Sequence, residues 1–443
     1  MRHANCIMKH RDWIGDCTRP VSLKSCKKSE KAKMTMTAKQ EWAANWQLPL
    51  LAMLGIAGAA TFGYSSGVFM EQMTREFGWS RAQFSAAFTV QMVLGLIVMP
   101  FLGRLVDRIG PRRIGLAGIG LYTLAFSALG LANGTIWQWW LLGAVQAVGV
   151  AFITNPVWLS SVIPRFHASR GLALAVSLAG IGVATLIWPN IAAFGIQHLG
   201  WRLTFPAMAV LWAVIMLPFA WFCLVDPPAI EVPAETAEAT APKSDYLRAL
   251  RSRTAICLAL AGGIFASVTY GIILNLVPML QAQGMTLTAA AGLTSIMGIF
   301  VIGGRIATGY LLDRLPTRPL SIAVFALPVI VCLVLWVFPG NSIAIMVAVA
   351  LLGLATGSET DVVVYMIAQR FGRDIFATVL AVIMSVFALL AATGPLLAGS
   401  IFDQYDSYEP YLMIGIPLAL LATLCIALVP DRPVAGADAA VTV

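Results

Sequence analysis

The sequence predicts an all-α membrane protein with twelve transmembrane helices, divided into two six-helix bundles related by pseudosymmetry. Three observations favour this fold: the composition, the spacing of apolar segments and an internal repeat. The 443 residues are 59% hydrophobic and only 11% charged, whereas soluble domains carry about 25% charged residues. A soluble chain of this composition lacks the polar residues to cover its surface, so lipid is the solvent that fits it.

Twelve apolar segments, numbered here as spans 1 to 12, are long enough to cross the hydrocarbon core of a bilayer. They cover residues 48–70, 85–106, 113–132, 139–162, 170–197, 203–225, 254–282, 287–312, 319–338, 342–368, 375–402 and 408–430. The spacing predicts a cytoplasmic, disordered tail at 1–46, a bundle at 47–225, a cytoplasmic linker at 226–253, a second bundle at 254–430 and a cytoplasmic tail at 431–443. The linker is rich in proline, alanine and glutamate, which is typical of a solvated, unpacked chain.

The beginning of the chain carries lysines but no apolar stretch before span 1, so it does not resemble a signal peptide. Met34 and Met36 are alternative starting points to Met1. The sequence shows no His/Cys pattern of a metal site, no phosphate-binding loop and no nucleophile motif. We therefore expect neither an enzyme nor a bound cofactor or metal.

Basic residues predict the orientation of the chain. The net charge is +8, and arginines concentrate in alternate connections, with examples at Arg108, Arg165, Arg251, Arg314 and Arg370. This clustering beside apolar segments fits the rule that cytoplasmic loops are positive, so we expect no nucleic-acid partner. Both termini are expected to be cytoplasmic in a multi-pass protein of the bacterial inner membrane.

A constant offset of 206 residues relates the two halves of the chain. The offset relates Tyr64 to Tyr270, Gly103 to Gly309, Asp107 to Asp313 and Pro189 to Pro395. One register shared by distant spans indicates gene duplication. Six-span repeats with a binding site at their interface are typical of carriers that work by alternating access.

The repeated motif carries a family resemblance. Gly103-Arg-Leu-Val-Asp107-Arg108, followed by Arg112, resembles the signature loop of the major facilitator superfamily, and Gly309-Tyr-Leu-Leu-Asp313-Arg314 is similar to its second copy. In physical terms, a glycine lets two helices approach closely, and the aspartate can accept hydrogen bonds from an arginine or a helix N-terminus. We interpret these residues as a gate whose contacts bias the inward and outward states; the alternative is that the charges only fix topology.

Other segments resemble a narrower group. Glu76-Phe-Gly-Trp79-Ser80-Arg81, Arg170-Gly171-Leu172-Ala173 and Gly357-Ser-Glu359-Thr-Asp361 resemble the bacterial branch of the monocarboxylate transporter family. The resemblance covers nearly the whole chain from about Trp46. It implies a proton-coupled or exchange carrier of small organic anions, with spans 1, 4, 7 and 10 lining the cavity.

Arg305 is the candidate anion-binding residue. A charged residue at bilayer depth costs at least about 2.5–3.5 kcal/mol to insert, so each one present suggests a function. Arg305 lies in span 8 beside Gly303 and Gly304, about one turn before Gly309, where the resemblance places the substrate-binding arginine. A guanidinium can hold a carboxylate through two parallel hydrogen bonds. The alternative is a structural ion pair with an acidic neighbour.

Glu359 and Asp361 are the candidate proton carriers. They are two residues apart in span 10 and therefore point about 200° apart around the helix. We expect Asp361 to face the cavity, because its repeat partner is the polar Asn155 of span 4. Substrate binding to Arg305 would release Asp361 to take a proton; Glu359 is the second candidate.

The remaining predicted substrate-binding residues are aromatic or carry an amide: Tyr64, Asn155, Trp158, Tyr270 and Asn275. They can stack on a planar solute or hydrogen-bond to it, although packing is the alternative for each aromatic ring. Trp137, Trp139 and Trp140 are expected to form an interfacial belt at the start of span 4.

These observations predict a monomeric secondary transporter that imports a small organic anion, a monocarboxylate or an aromatic carboxylate, together with protons. One alternative is an importer of a ring-bearing nutrient such as a riboflavin-like vitamin. Others are an exporter or antiporter of the same architecture, since gradients rather than topology set direction, and a membrane receptor that does not transport.

Overall fold

The computed structural model describes residues 37–224, 249–371 and 373–430. The side chains of Asp107, Arg373, Asp374 and Ala377 lie outside this description. The segments 1–36 and 431–443 and most of the predicted linker also lie outside it, so what we expect of them stays a prediction.

The described residues form twelve membrane-spanning helices. These are Gln47–Ala59 with Thr61–Phe77 (span 1), Arg81–Ile109 (span 2), Pro111–Ala128 (span 3), Ile136–Ala151 with Asn155–Val162 (span 4), Arg170–Leu178 with Gly180–Cys223 (spans 5 and 6), Arg253–Ala282 (span 7), Leu287–Leu312 (span 8), Thr317–Val337 (span 9), Ser342–Arg370 (span 10), Arg373–Tyr405 (span 11) and Glu409–Ala427 (span 12). Eleven helical stretches are long and apolar enough to cross a membrane, and one of them contains two spans. The predicted all-α fold with twelve transmembrane helices is confirmed.

The two spans in one stretch are separated at Gly200. The stretch Arg170–Cys223 has 54 residues, and Gly200 inside it has a φ of 73° and a ψ of 162°. A positive φ is readily adopted only by glycine, so the chain reverses there between residues 170–199 and 201–223. The turn is tied to the end of span 1, because Trp201 and Arg202 each donate a hydrogen bond to Glu76.

A short helix, Ala38–Asn45, precedes span 1. Thr37 and Gln40 form a capping box at its start, a pattern that satisfies free backbone N–H groups at a helix N-terminus. Residues 38–45, which we expected to be disordered, are therefore helical. The helix packs on the connection between spans 4 and 5, where the ring of Trp42 lies 5.3 Å from that of Phe166.

The tryptophans at the start of span 4 do not form a uniform belt. Trp137 is exposed, but Trp139 is fully buried and donates a hydrogen bond to the carbonyl of Phe84. Trp139 stacks on Phe84 at 5.1 Å between ring centroids. It therefore belongs to the core of the first bundle, where the rings of Phe62, Trp79 and Phe84 lie around it.

The two bundles meet through three pairs of helices. Span 2 packs against span 11, span 5 against span 8, and span 1 against span 7, while spans 4 and 10 pack mainly within their own bundles. A Cβ on Gly399 would lie only 2.7 Å from the Ala82 nitrogen, so glycine permits that approach. We call the end that holds Arg81 and Asp403 the outer end, and the end with the basic loops the inner end.

Candidate functional site

Arg305 and Asp361 form an ion pair between spans 8 and 10. Arg305 Nε lies 3.6 Å from Asp361 Oδ2, and their side chains are 9% and 27% exposed. This distance is too long for a hydrogen bond, and Arg305 Nε has no hydrogen-bond partner among the described residues. The guanidinium is thus neutralised in part, and its buried Nε–H group lacks a hydrogen-bond acceptor among the described residues.

Close helix packing holds this pair in place. A Cβ on Gly304 would lie 2.7 Å from the Leu354 carbonyl oxygen. Thr308 donates a 2.6 Å hydrogen bond to Ser358, which donates to the Gly304 carbonyl. Small residues and side-chain hydrogen bonds are the usual means by which helices associate in lipid. They fix the register that sets Arg305 opposite Asp361.

Glu359 lies on a different side of span 10 from Asp361. Its side chain is 2% exposed, and its Oε1 atom has no hydrogen-bond partner among the described residues. The two acids of span 10 therefore differ: Asp361 is half-buried and paired with Arg305, whereas Glu359 is buried and forms no ion pair among the described residues. An unpaired buried carboxyl group is costly unless it carries a proton.

Tyrosines of spans 1 and 7 lie near these charges. Arg305 and Glu359 both interact electrostatically with Tyr64. The same two residues interact with Tyr270, which is also close to Tyr64. Tyr270 stacks on Phe88 of span 2, with ring centroids 6.1 Å apart and planes at 28°. The cluster thus combines a cation, two acids and a group of aromatic rings at the junction of the bundles.

Asn155 occupies the corresponding place in the first bundle. It is exposed and begins the second helix of span 4, after a break at residues 152–154. Next to it, the Thr154 hydroxyl lies 3.6 Å from the sulfur of Met99. Met99 is the repeat partner of Arg305 by the 206-residue offset. The contact between spans 8 and 10 therefore has a neutral counterpart between spans 2 and 4.

The structure does not bring Trp158 and Asn275 to this cluster. Trp158 is 1% exposed, packs over Gly55 and donates its indole N–H to the Ile153 carbonyl. Asn275 is completely buried; its amide nitrogen donates to the Gly271 carbonyl, and its oxygen accepts from Tyr408. Both side chains have satisfied polar groups inside the protein, so neither is free to bind a solute in this conformation.

The sequence matches the family description "Major Facilitator Superfamily" over residues 51–358. The chain belongs to the major facilitator superfamily. Proteins of this family are transporters, not enzymes, so the chain is a multi-pass membrane protein whose partner is a small-molecule substrate. No group of three or more His, Cys, Asp or Glu residues in the described part of this facilitator could hold a metal ion.

Curated relatives of this facilitator are transporters. It is 22% identical to "Uncharacterized MFS-type transporter YcxA" of Bacillus subtilis (strain 168), over 87% of this chain and 95% of that protein. It is 27% identical to the "3-(3-hydroxy-phenyl)propionate transporter" of Escherichia coli (strain K12), over 86% of this chain and 90% of that protein. It is 23% identical to "Monocarboxylate transporter 13" of Rattus norvegicus, over 88% and 92%.

A solved structure supports the fold. The facilitator aligns with a bacterial homologue of the human lysosomal transporter Spinster, crystallised in an inward-facing, unoccupied conformation. The TM-score is 0.62 at 17% identity, covering 87% of this chain and 93% of that one. At this identity the similarity concerns the fold alone.

The facilitator's signature residues lie at the inner end. Among the described residues, a Cβ on Gly103 or Gly309 would meet nothing within 4 Å, so neither glycine makes the expected close helix contact with them in this conformation. Arg112 donates a hydrogen bond to the Trp221 carbonyl of span 6. Arg108, Asp313 and Arg314 are exposed, with Arg314 stacked over Tyr310. The side chain of Asp107 lies outside the described residues, so the proposed gate stays a prediction.

Phe88 is a member of the cluster that the sequence did not indicate. It is buried and stacks on Tyr270. Charged and polar residues stand out in an apolar span, but a phenylalanine there is ordinary. Only the contact between spans 2 and 7, about 180 residues apart in the chain, makes Phe88 a candidate.

Proposed function

We propose that this facilitator imports a small organic anion, a monocarboxylate or an aromatic carboxylate, together with protons and by alternating access. The observation that carries the proposal is the Arg305 guanidinium, buried near the junction of the two bundles with Nε free of hydrogen bonds. Retaining such a group at bilayer depth is costly. An anionic substrate would supply the hydrogen bonds that Asp361 does not.

The carboxylate of the substrate would replace Asp361 at Arg305. A planar guanidinium can bind a carboxylate through two parallel hydrogen bonds, and at 3.6 Å Asp361 makes none with Nε. A better-placed ligand carboxylate would therefore compete successfully for the cation.

Proton coupling follows from that exchange. Once the substrate neutralises Arg305, Asp361 loses its counter-ion, and an ionised carboxylate without a partner is unfavourable in this setting. Taking up a proton removes the cost, so substrate and proton would bind together. Glu359, which is buried and unpaired at Oε1, is the second candidate for the proton.

The aromatic group favours a substrate that carries a ring. Phe88 and Tyr270 are already stacked, and Tyr64 lies near Tyr270. Offset stacking on such rings contributes about 0.5–1.5 kcal/mol per pair. The printed name of the Escherichia coli relative, a transporter of a hydroxyphenylpropionate, supports an aromatic carboxylate. A riboflavin-like nutrient would use the same rings but would not need Arg305.

The basic loops favour an orientation with these loops and both termini in the cytoplasm. We propose the bacterial inner membrane as the location. We propose a monomer, because one chain contains both bundles and the cluster at their junction.

Ligand-induced stabilisation of the purified protein tests the proposal. A carboxylate that binds Arg305 raises the unfolding temperature as its concentration rises above Kd, whereas its neutral carboxamide does not. Arg305→Ala is expected to abolish the rise, and Arg251→Ala, which removes an exposed arginine of the linker, is expected to keep it. Equal stabilisation by acid and amide, with no effect of Arg305→Ala, would exclude the anion site.

A further inference from the structure

The outer end holds a polar contact between the bundles that the proposed substrate site does not use. Asp403, near the end of span 11, accepts hydrogen bonds from the backbone N–H groups of Arg81 and Ala82 at 2.7 and 2.9 Å. These are the first two residues of span 2. A carboxylate at a helix N-terminus satisfies free N–H groups and interacts favourably with the helix dipole. One bundle thus caps a helix of the other.

The Arg81 side chain adds contacts to Tyr408 and Phe402 of the other bundle, and an ion pair with Glu71 of its own bundle holds it in place. It donates a 2.6 Å hydrogen bond to the Tyr408 hydroxyl of span 12 and pairs with Glu71 of span 1 at 3.2 Å. Its guanidinium lies 3.5 Å above the ring of Phe402. Only 13% of the side chain is exposed, so water screens these interactions less than on an open surface.

Backbone packing accompanies the charges. The Cβ that Gly399 lacks would lie 2.7 Å from the Ala82 nitrogen and 2.8 Å from the Arg81 carbonyl carbon. Thr89, two turns further along span 2, donates a hydrogen bond to the Ala392 carbonyl of span 11. The two helices are therefore in direct contact along their outer portions.

The contact is asymmetric. The repeat partners of Arg81 and Asp403 are Leu287 and Gln197, so spans 5 and 8 cannot form the same charged cap. They are joined instead by neutral groups, with Asn190 donating to Ser295 and Ser295 donating to the Leu186 carbonyl. The duplicated fold alone does not require the charged contact.

Asn275 connects the contact to the central cluster. The Tyr408 hydroxyl accepts from Arg81 and donates to the Asn275 oxygen at 3.1 Å. Asn275 lies on span 7, five residues beyond Tyr270. A displacement of span 7 at Tyr270 would therefore be felt at Tyr408.

We propose that Asp403, Arg81 and Tyr408 form a latch that holds the outer end closed, and that Asn275 is a positioning residue that links the latch to span 7. Opening the outer end breaks the cap on span 2 and separates Gly399 from Ala82. The latch therefore favours the inward-facing state. It goes beyond the proposed function, because it sets the balance of two conformations whatever the substrate is.

Hydrogen exchange of the full-length protein in lipid nanodiscs, without substrate, tests the latch. Asp403→Ala removes both acceptors from span 2. We expect exchange to become about ten-fold faster at residues 81–89, the size expected for loss of a hydrogen bond to a charged group. Exchange should also rise at 392–399 and fall at the inner ends of spans 4 and 10, as that end closes. Asp406→Asn is the matched control, because it removes a carboxylate of the same loop and keeps a residue that tolerates the φ of 52°.

Two outcomes would overturn the latch. One is equal exchange in Asp403→Ala and Asp406→Asn. The other is faster exchange confined to residues 81 and 82, which would show a local cap without control of the conformation.

A second variant tests the latch without removing a charged group. Gly399→Ala is expected to separate spans 2 and 11, because the new methyl group would overlap the backbone of Ala82. Gly292→Ala is its control, since a Cβ there meets nothing within 4 Å. The same pattern of faster outer and slower inner exchange in Gly399→Ala alone supports the latch, and unchanged exchange contradicts it.

Discussion

In the proposed function, the Arg305 guanidinium binds two partners in turn, first Asp361 and then the substrate carboxylate. The ion pair is close enough to lower the cost of burying a guanidinium, but at 3.6 Å it is not a hydrogen bond. A tighter pair would compete with the substrate, and an isolated arginine would be expensive in the empty protein. The intermediate geometry therefore fits the proposed exchange, in which Arg305 releases Asp361 and binds the substrate carboxylate.

Two variants can show which acid of span 10 takes up the proposed proton. Asp361→Asn cannot take up a proton when the substrate binds Arg305, whereas Glu359→Gln leaves the ion pair intact. Calorimetry of ligand binding in buffers of different ionisation enthalpy measures the protons taken up. We expect about one proton in the wild type and in Glu359→Gln, and none in Asp361→Asn.

The reverse pattern, with proton uptake lost only in Glu359→Gln, would identify Glu359 as the proton carrier. Uptake unchanged in both variants would contradict proton coupling through span 10.

Some residues of the site could be predicted from the sequence and others could not. Arg305 and Asp361 are conspicuous because charges are rare in apolar spans, and the 206-residue offset gave a reason to prefer Asp361 to Glu359. Trp158 and Asn275 satisfy their polar groups internally. Their partners come from the surrounding fold, and no pattern along one span reveals that.

At the scale of elements, one buried carboxylate joins the short helix Ala38–Asn45 to the connection between spans 4 and 5. Glu41 accepts hydrogen bonds from the backbone N–H groups of His167, Ala168 and Ser169 and from the Ser169 hydroxyl. Burial acts to raise the pKa of Glu41, but these hydrogen bonds prevail and lower it to about 2. The sequence alone does not indicate this structural role, because the partners of Glu41 lie over 120 residues away in the chain.

Glu41→Gln is expected to lower the free energy of unfolding by about 2 kcal/mol, because hydrogen bonds to a charged group are lost. Thermal unfolding in detergent measures this loss, with Glu409→Gln, an exposed acid, as the control. Since the pKa is lower in the folded than in the unfolded protein, the stabilisation is complete above about pH 5 and disappears as the pH falls toward 2. A difference between wild type and variant that grew on acidification would contradict this contact.

Alanine substitutions at two neighbouring glycines of span 8 are expected to have different effects on stability and on anion binding. Gly304→Ala places a methyl group 2.7 Å from the Leu354 carbonyl oxygen, whereas Gly303→Ala meets nothing within 4 Å. We expect Gly304→Ala to cost about 1–3 kcal/mol through overpacking and to weaken anion binding by displacing Arg305. Gly303→Ala should change neither the unfolding temperature nor the affinity. Equal behaviour of the two variants would show that packing against span 10 does not position Arg305.

At the scale of the whole molecule, the fold follows from the solvent and from the duplication. Lipid requires helices of about 20 apolar residues, and a constant register between halves predicts two bundles. Neither the lipid solvent nor the duplication determines which end of the transporter is closed. Positions that the 206-residue offset relates differ at the outer end, where Asp403 caps span 2 and its repeat partner is Gln197. At the inner end, the expected contacts of Gly103 and Gly309 are absent among the described residues in this conformation.

Uptake into proteoliposomes tests most directly the claim that this facilitator carries an organic anion with protons. Labelled 3-(3-hydroxyphenyl)propionate, other aromatic and aliphatic monocarboxylates, and a neutral flavin would be compared with and without an inwardly directed proton gradient. We predict saturable uptake of a carboxylate that the gradient accelerates and that Arg305→Ala abolishes. Uptake of a neutral solute that ignores both the gradient and Arg305→Ala would contradict the account.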